Sequence, residues 1–279
     1  MAASIHSEGN MTNHLRFQIL GVNVDGVRIS DVVAHMDEWV RDRSGCHSIA
    51  CTSLHGIVEA QHDAAFKKAL NATDLVVPDG MPLIWLGRRE GHYLPHRVYA
   101  PDLVLAFCKE TAGLRYRHFF YGGESGIPER MAESLERRFP GLQVAGTYSP
   151  PFRPLTKEED AEILSMISRA EPDVLWVGLG APKQEHWMYE HKDKLNVPVV
   201  VTVGAAFDWL SGRKKQAPRW MREHGLEWLF RLFQEPGRLW RRYLIYGTEF
   251  VASIVLESLG LKKFAANTNQ EKPQAEVRP

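Results

Sequence analysis

Between residues 17 and 203, short apolar runs alternate with amphipathic stretches of helical length. The runs are Phe17–Val24, Ser48–Thr52, Leu75–Val77, His118–Tyr121, Gln143–Gly146, Val174–Val177 and Val199–Val203. The helical stretches fall at residues 31–43, 55–70, 101–111, 128–139, 157–169 and 183–194. Neighbouring parallel strands need a crossover of about a dozen residues or more, and a helix supplies it. The alternation therefore predicts an α/β fold, a Rossmann-like and mainly parallel sheet with helices on both faces. Ser30 is the expected N-cap of the first helix. Thr156, followed by acidic residues, is the expected N-cap of the fifth.

After Asp208 the strand-like runs stop, and the chain reads as helices rich in Arg and aromatics. The expected division is a disordered tail over 1–16, an α/β catalytic domain over 17–210, a C-terminal helical appendage over 211–262 and a disordered tail over 263–279. Lys+Arg and Asp+Glu both number 34, so the bulk charge gives no pointer to nucleic acid. Residues 213–242, however, hold nine Lys/Arg against three Asp/Glu. Four of the eight Trp also follow Asp208. Aromatics interleaved with Arg suit an anionic membrane surface, against the plainer reading of a solvated basic face. The apolar stretches 197–207 and 251–259 fall short of the roughly 20 residues a spanning helix needs. The N-terminus has no signal-peptide pattern, and three cysteines are too few for a disulfide framework. These features suit a protein of the reducing cytoplasm that lies on a membrane without crossing it.

Ligands of open α/β sheets sit outside the carboxyl ends of the strands. That rule singles out Pro78-Asp79-Gly80-Met81-Pro82, Gly122-Gly123-Glu124-Ser125-Gly126, Gly178-Leu179-Gly180-Ala181-Pro182-Lys183-Gln184-Glu185 and Gly204-Ala205-Ala206-Phe207-Asp208. Three of these turns are Gly-rich and run into helices, whose free N–H groups favour a phosphate. Gly122, Gly180, Lys183 and Gln184 are thus candidates for a nucleotide-type ligand, against ordinary turn chemistry. The sequence has no G-x-S-x-G elbow, P-loop or G-x-G-x-x-G fingerprint. Cys46, His47, Cys51 and His55 straddle a strand, so their side chains would face opposite ways, which disfavours zinc. No D-x-D pair is present to hook a divalent metal, so neither metal nor cofactor is expected.

Several segments together carry a resemblance: LVVPDGMPLIW, RVYAPDL, FFYGGESGIPERMAESL, VGLGAPKQEHWM, VGAAFDWLSGRKKQAPRWM and GLEWLFRLFQEPGRLWRRY. In this order, from about Phe17 to Tyr246, the chain resembles the WecG/TagA/CpsF family, glycosyltransferase family 26. The resemblance implies an inverting, metal-independent transfer of a sugar from a UDP-sugar donor to an undecaprenyl-diphosphate-linked acceptor, in bacterial cell-surface or exopolysaccharide biosynthesis. It also implies Asp79 as the base, Thr52, Arg97 and Gln184 at the donor, and Arg231, Arg238 and Arg241 at the acceptor diphosphate. Many members place Asn two residues after the Thr; here that position is Leu54, followed by His55-Gly56. The donor sugar therefore stays open between N-acetylmannosamine, its uronic acid and glucose. Arg97 has the alternative of a structural pair with Asp102. Asp208 either caps a helix or orients a ligand, and His55 has no assigned role. A non-catalytic sugar-nucleotide-binding subunit is the competing function, and it would not need Asp79. Possible homo-oligomerisation leaves no sequence signature.

Overall fold

A computed structural model describes residues 16–265. The expected disordered tails fall outside the described residues, apart from Arg16, which opens a strand, and residues 263–265. In chain order the strands are β1 (Arg16–Ile19), β2 (Val22–Asp25), β3 (His47–Thr52), β4 (Leu75–Pro78), β5 (Arg117–Gly122), β6 (Gln143–Tyr148), β7 (Val174–Gly178) and β8 (Val199–Thr202). The helices of the α/β part are α1 (Ile29–Asp42), α2 (Leu54–His62), α3 (Ala64–Asn71), α4 (Met81–Arg89), α5 (Ala100–Thr111), α6 (Ile127–Arg138), α7 (Lys157–Ala170), α8 (Lys183–His191) and α9 (Ala206–Leu210).

β3 to β8 form one parallel sheet in the order β4-β3-β8-β7-β5-β6. Alternate residues of a strand serve opposite faces. On β7, Leu175 and Val177 join the core under α2, α3, α7 and α8, while Val174 and Trp176 join the core under α1, α5 and α6. Both faces are covered, which explains why these strands read as unbroken apolar runs rather than alternating ones.

Three local readings change. The first expected strand folds back at Leu20-Gly21 into the antiparallel hairpin β1–β2. Its buried Asp25 accepts the Val76 N–H at 2.7 Å, which covers the free edge of β4. The second expected helix breaks at Asp63, whose carboxylate accepts the Phe66 N–H at 2.9 Å and caps α3. Arg28 is the N-cap of the first helix, its N–H donating to the Asp31 carboxylate at 2.9 Å, so Ser30 lies inside it. Thr156 caps α7 as expected, its hydroxyl accepting the Glu159 N–H at 3.2 Å.

Beyond residue 210 the described chain is helical: α10 (Arg219–Glu223), α11 (Glu227–Gln234), α12 (Pro236–Trp240), a π-helical turn at Arg241–Ile245 and α13 (Tyr246–Ser258). α13 packs on α2, where Tyr246 donates to Glu59 at 3.0 Å and His62 meets Glu249 at 2.7 Å. Among the described residues no helix is long and apolar enough to cross a membrane.

Candidate active site

The carboxyl ends of β3, β4, β5, β7 and β8 open into one cavity of about 750 Å³, roofed by α11, α12 and the π turn. That size suits a small-molecule site. Thr52, Asp79, Arg97, Gly180, Lys183, Gln184, Arg231 and Arg238 line it. Gly122 and Arg241 do not. Gly122 instead brings β5 against β7, where a Cβ would lie 2.5 Å from the Gly178 carbonyl carbon, and Gly123 takes its place on the cavity wall. Arg241 sits outside over the Trp240 ring, at 5.3 Å, and Arg242 reaches the cavity. Spacings of seven and three would keep Arg231, Arg238 and Arg241 on one side of a single bent helix. The break at Glu235 and the wider π turn shift the register after Trp240.

Asp79 leaves β4 with its N–H bonded to the Thr52 carbonyl at 2.8 Å, and its Oδ1 accepts the Ala100 N–H at 3.3 Å. Asp79 lines the cavity, and the surrounding protein encloses its carboxyl. This enclosure raises its pKa to about 7, against the lowering pull of Arg97 and with a further push from Glu227. Arg97 donates to the Asp79 carbonyl at 3.0 Å and forms a buried ion pair with Glu227 of α11. Its guanidinium lies 4.1 Å over Tyr99, whose hydroxyl donates to Glu227 at 3.3 Å. The alternative pairing of Arg97 with Asp102 is replaced: Asp102 meets Arg222 at 3.5 Å.

Thr52 is buried at the end of β3, and its hydroxyl leaves room only for glycine at position 56, where a Cβ would lie 2.3 Å away. Leu54 and His55 also line the cavity. Burial and the charges of Arg242 and Arg231 depress His55 to about 3, so its ring is neutral at physiological pH. Its Nδ1 is without a hydrogen-bond partner among the described residues. At the α8 N-terminus, Gln184 accepts the Gly180 N–H at 3.1 Å and donates to Glu185 at 2.7 Å. Its amide thus braces the turn and Glu185, while Lys183 stands at the rim 5.0 Å from the Phe152 ring.

Asp208 belongs to the first turn of α9 and pairs with Arg213 at 3.3 Å and Lys214 at 3.0 Å. Lys214 continues to Glu235, and Glu235 to Arg238 at 2.5 Å. This ladder ties the β8 end to the cavity roof, so Asp208 orients a side-chain network rather than capping a helix. Burial, then the like charges of Arg231 and Arg238, lowers Arg242 to about 10. Cations gathered this way around a cavity favour an anion between them. Among the described residues no group of three or more His, Cys, Asp and Glu is placed to hold a metal.

Sequence reasoning missed Glu185, Glu227, Tyr99 and Arg242. Glu185 stood inside a quoted motif. Glu227 stood inside another, but nothing local links it to its partner Arg97, 130 residues away.

Residues 17–264 match the profile of the Glycosyl transferase WecG/TagA/CpsF family. The chain is 28% identical over 216 residues to the N-acetylglucosaminyldiphosphoundecaprenol N-acetyl-beta-D-mannosaminyltransferase of Bacillus spizizenii, covering 77% of this chain and 82% of that protein. The enzyme of the same name in Bacillus subtilis is 26% identical, covering 72% and 76%. That of Staphylococcus aureus is 25% identical, covering 82% and 89%.

Proposed function

The chain belongs to the WecG/TagA/CpsF glycosyltransferase family, and from that membership we propose that it moves a sugar from a UDP-sugar, with inversion, onto an undecaprenyl-diphosphate-linked sugar. The relatives' names supply the acceptor class and the N-acetylmannosamine-type donor, with a related hexose as the alternative. The product belongs to cell-surface or exopolysaccharide biosynthesis. The observation that carries the reading is Asp79, a carboxyl at a strand end, open to the cavity and raised to about 7.

Asp79 takes the proton of the acceptor hydroxyl as that oxygen attacks the anomeric carbon. The bond from that carbon to the donor diphosphate breaks on the opposite side, which inverts the centre. UDP leaves with the bonding electron pair. General-base help of this kind is worth about 10² to 10⁴ in rate. The Gly180 turn, Lys183 and the α8 N-terminus suit the donor diphosphate. Arg231, Arg238 and Arg242 suit the acceptor diphosphate, through charge-assisted bonds at the cavity roof.

The 211–262 appendage also fits an anionic membrane surface. Trp220, Phe233, Trp240, Leu244 and Val251 are exposed beside these arginines, Phe233 at 78%. The reading places the protein on the inner face of the plasma membrane, its cavity mouth facing the lipid-linked acceptor. Its test is an assay of purified protein with a panel of UDP-sugars and a synthetic polyprenyl-diphosphate sugar. The expected result is one glycosidic product of inverted configuration and one UDP per transfer. A retained configuration, or no product with any donor, contradicts it.

A further inference from the structure

Glu185 is 2% exposed, yet it lines the cavity. Its Oε1 accepts two hydrogen bonds, from Gln184 at 2.7 Å and from the Thr202 hydroxyl at 3.2 Å. Its Oε2 is buried with no partner among the described residues. Leaving a buried polar atom unpaired is costly, and more so when it is charged. A carboxyl so firmly held by one oxygen, with the other left unpaired beside a cavity, is organised for a partner that arrives with a ligand.

Its surroundings identify that ligand's chemistry. Asp79 and Glu185 line the same cavity, and Cys51, whose thiol is pushed up by burial and then by the charges of both, lies on its wall. Arg242 is close enough to feel Glu185 but makes no ion pair with it among the described residues. A phosphate is therefore the wrong partner for Oε2, since two anions would meet. A neutral O–H or N–H is the right one. Burial raises the pKa of Glu185, and the donor bonds from Gln184, its own N–H and Thr202 pull the other way, toward the ionised form that accepts.

Resting on the UDP-sugar reading above, we propose that Oε2 of Glu185 accepts a hydrogen bond from a hydroxyl or acetamido N–H of the transferred sugar. Glu185 thus holds the pyranose beside Asp79 and contributes to the choice of donor sugar, while the nucleotide is bound elsewhere. Sites that hydrogen-bond a substrate group discriminate strongly against ligands that lack it.

The test titrates UDP, and the UDP-sugar that the wild type turns over, into wild type, Glu185→Gln and Glu185→Asp by calorimetry. Gln keeps an oxygen for Gln184 and Thr202 but turns an NH₂ toward the cavity. Asp keeps the charge and withdraws the acceptor by one methylene, so a folding failure of one variant leaves the other. UDP affinity is expected to stay within about twofold, and UDP-sugar affinity to fall at least tenfold, in both variants. A wild-type ratio of UDP-sugar to UDP affinity in either folded variant overturns the role of Glu185 and leaves the glycosyltransferase reading standing. A wild type that binds UDP but turns over no UDP-sugar overturns the donor reading, and this inference with it.

Discussion

A carboxyl that takes a proton at neutral pH must hold its pKa near 7, and for Asp79 enclosure by protein raises it to about 7 against the attraction of Arg97. Transfer is therefore expected to fall as pH drops below about 7 and to level off above it, read from kcat/KM against pH. The same shift has a stability consequence. Because the folded pKa lies above the ordinary 3.8, the protonated form favours folding. That contribution is complete below about pH 4 and is lost as pH rises through 7. Asp79→Asn should thus raise Tm at pH 8 by more than at pH 4.5. The gain is on the order of 1–2 kcal/mol, less than the full shift implies because cavity water screens the carboxylate. Asp79 was singled out because it stands at a strand end, where fold rules place ligands, and Thr52 only through the family resemblance. The roles of Glu185 and Glu227 were not legible, since a turn motif does not say which oxygen of a carboxylate is already occupied, or which distant side chain it meets.

At the scale of elements, α11 is tied to the β4–α5 connection by the ion pair between Glu227 and Arg97, and Arg97 in turn holds the Asp79 carbonyl. Glu227 is a positioning residue, and its negative charge helps to keep Asp79 high. Glu227→Gln removes that charge and frees Arg97 to act on Asp79. The acidic limb of the kcat/KM profile should then move to lower pH, whereas a purely structural loss would lower the whole curve without moving it. The α11–α12 arginines give a second prediction. Arg238→Lys should lose most transfer on a water-soluble diphosphate acceptor yet keep most liposome binding, because a point charge serves a membrane but not a bidentate grip. Full activity on the soluble acceptor removes the grip from Arg238. Helix α4 escaped the periodicity reading because Pro82 and Gly87 look like breakers. Pro82 sits in the first turn, where a proline is tolerated. Gly87 is required where Leu94 and Phe17 pack, since a Cβ would lie 2.6 Å and 2.8 Å from them. The π turn at Arg241–Ile245 leaves no composition signature, which is why Arg241 and Arg242 exchanged places.

For the whole molecule, the alternation of runs and helices was enough to give the layered α/β body, since parallel strands covered on both faces leave that pattern directly. The strand order β4-β3-β8-β7-β5-β6 was not legible, because crossovers of similar length can return to either side of a sheet. Nor was the closure of the C-terminal helices over the strand ends, which rests on contacts such as Tyr246 with Glu59 between segments 187 residues apart. With arginines and helix N–H groups available to meet the diphosphates, transfer is expected to persist in EDTA. Its loss there and recovery with Mg²⁺ or Mn²⁺ would contradict that balance of charge. The central claim is that Asp79 is the base of a sugar transfer from UDP. It is tested most directly by measuring turnover and UDP binding side by side in wild type and Asp79→Asn. UDP affinity is expected to be unchanged and turnover at least about 100-fold lower, since the amide cannot take the proton. Near-wild-type turnover in Asp79→Asn would contradict it.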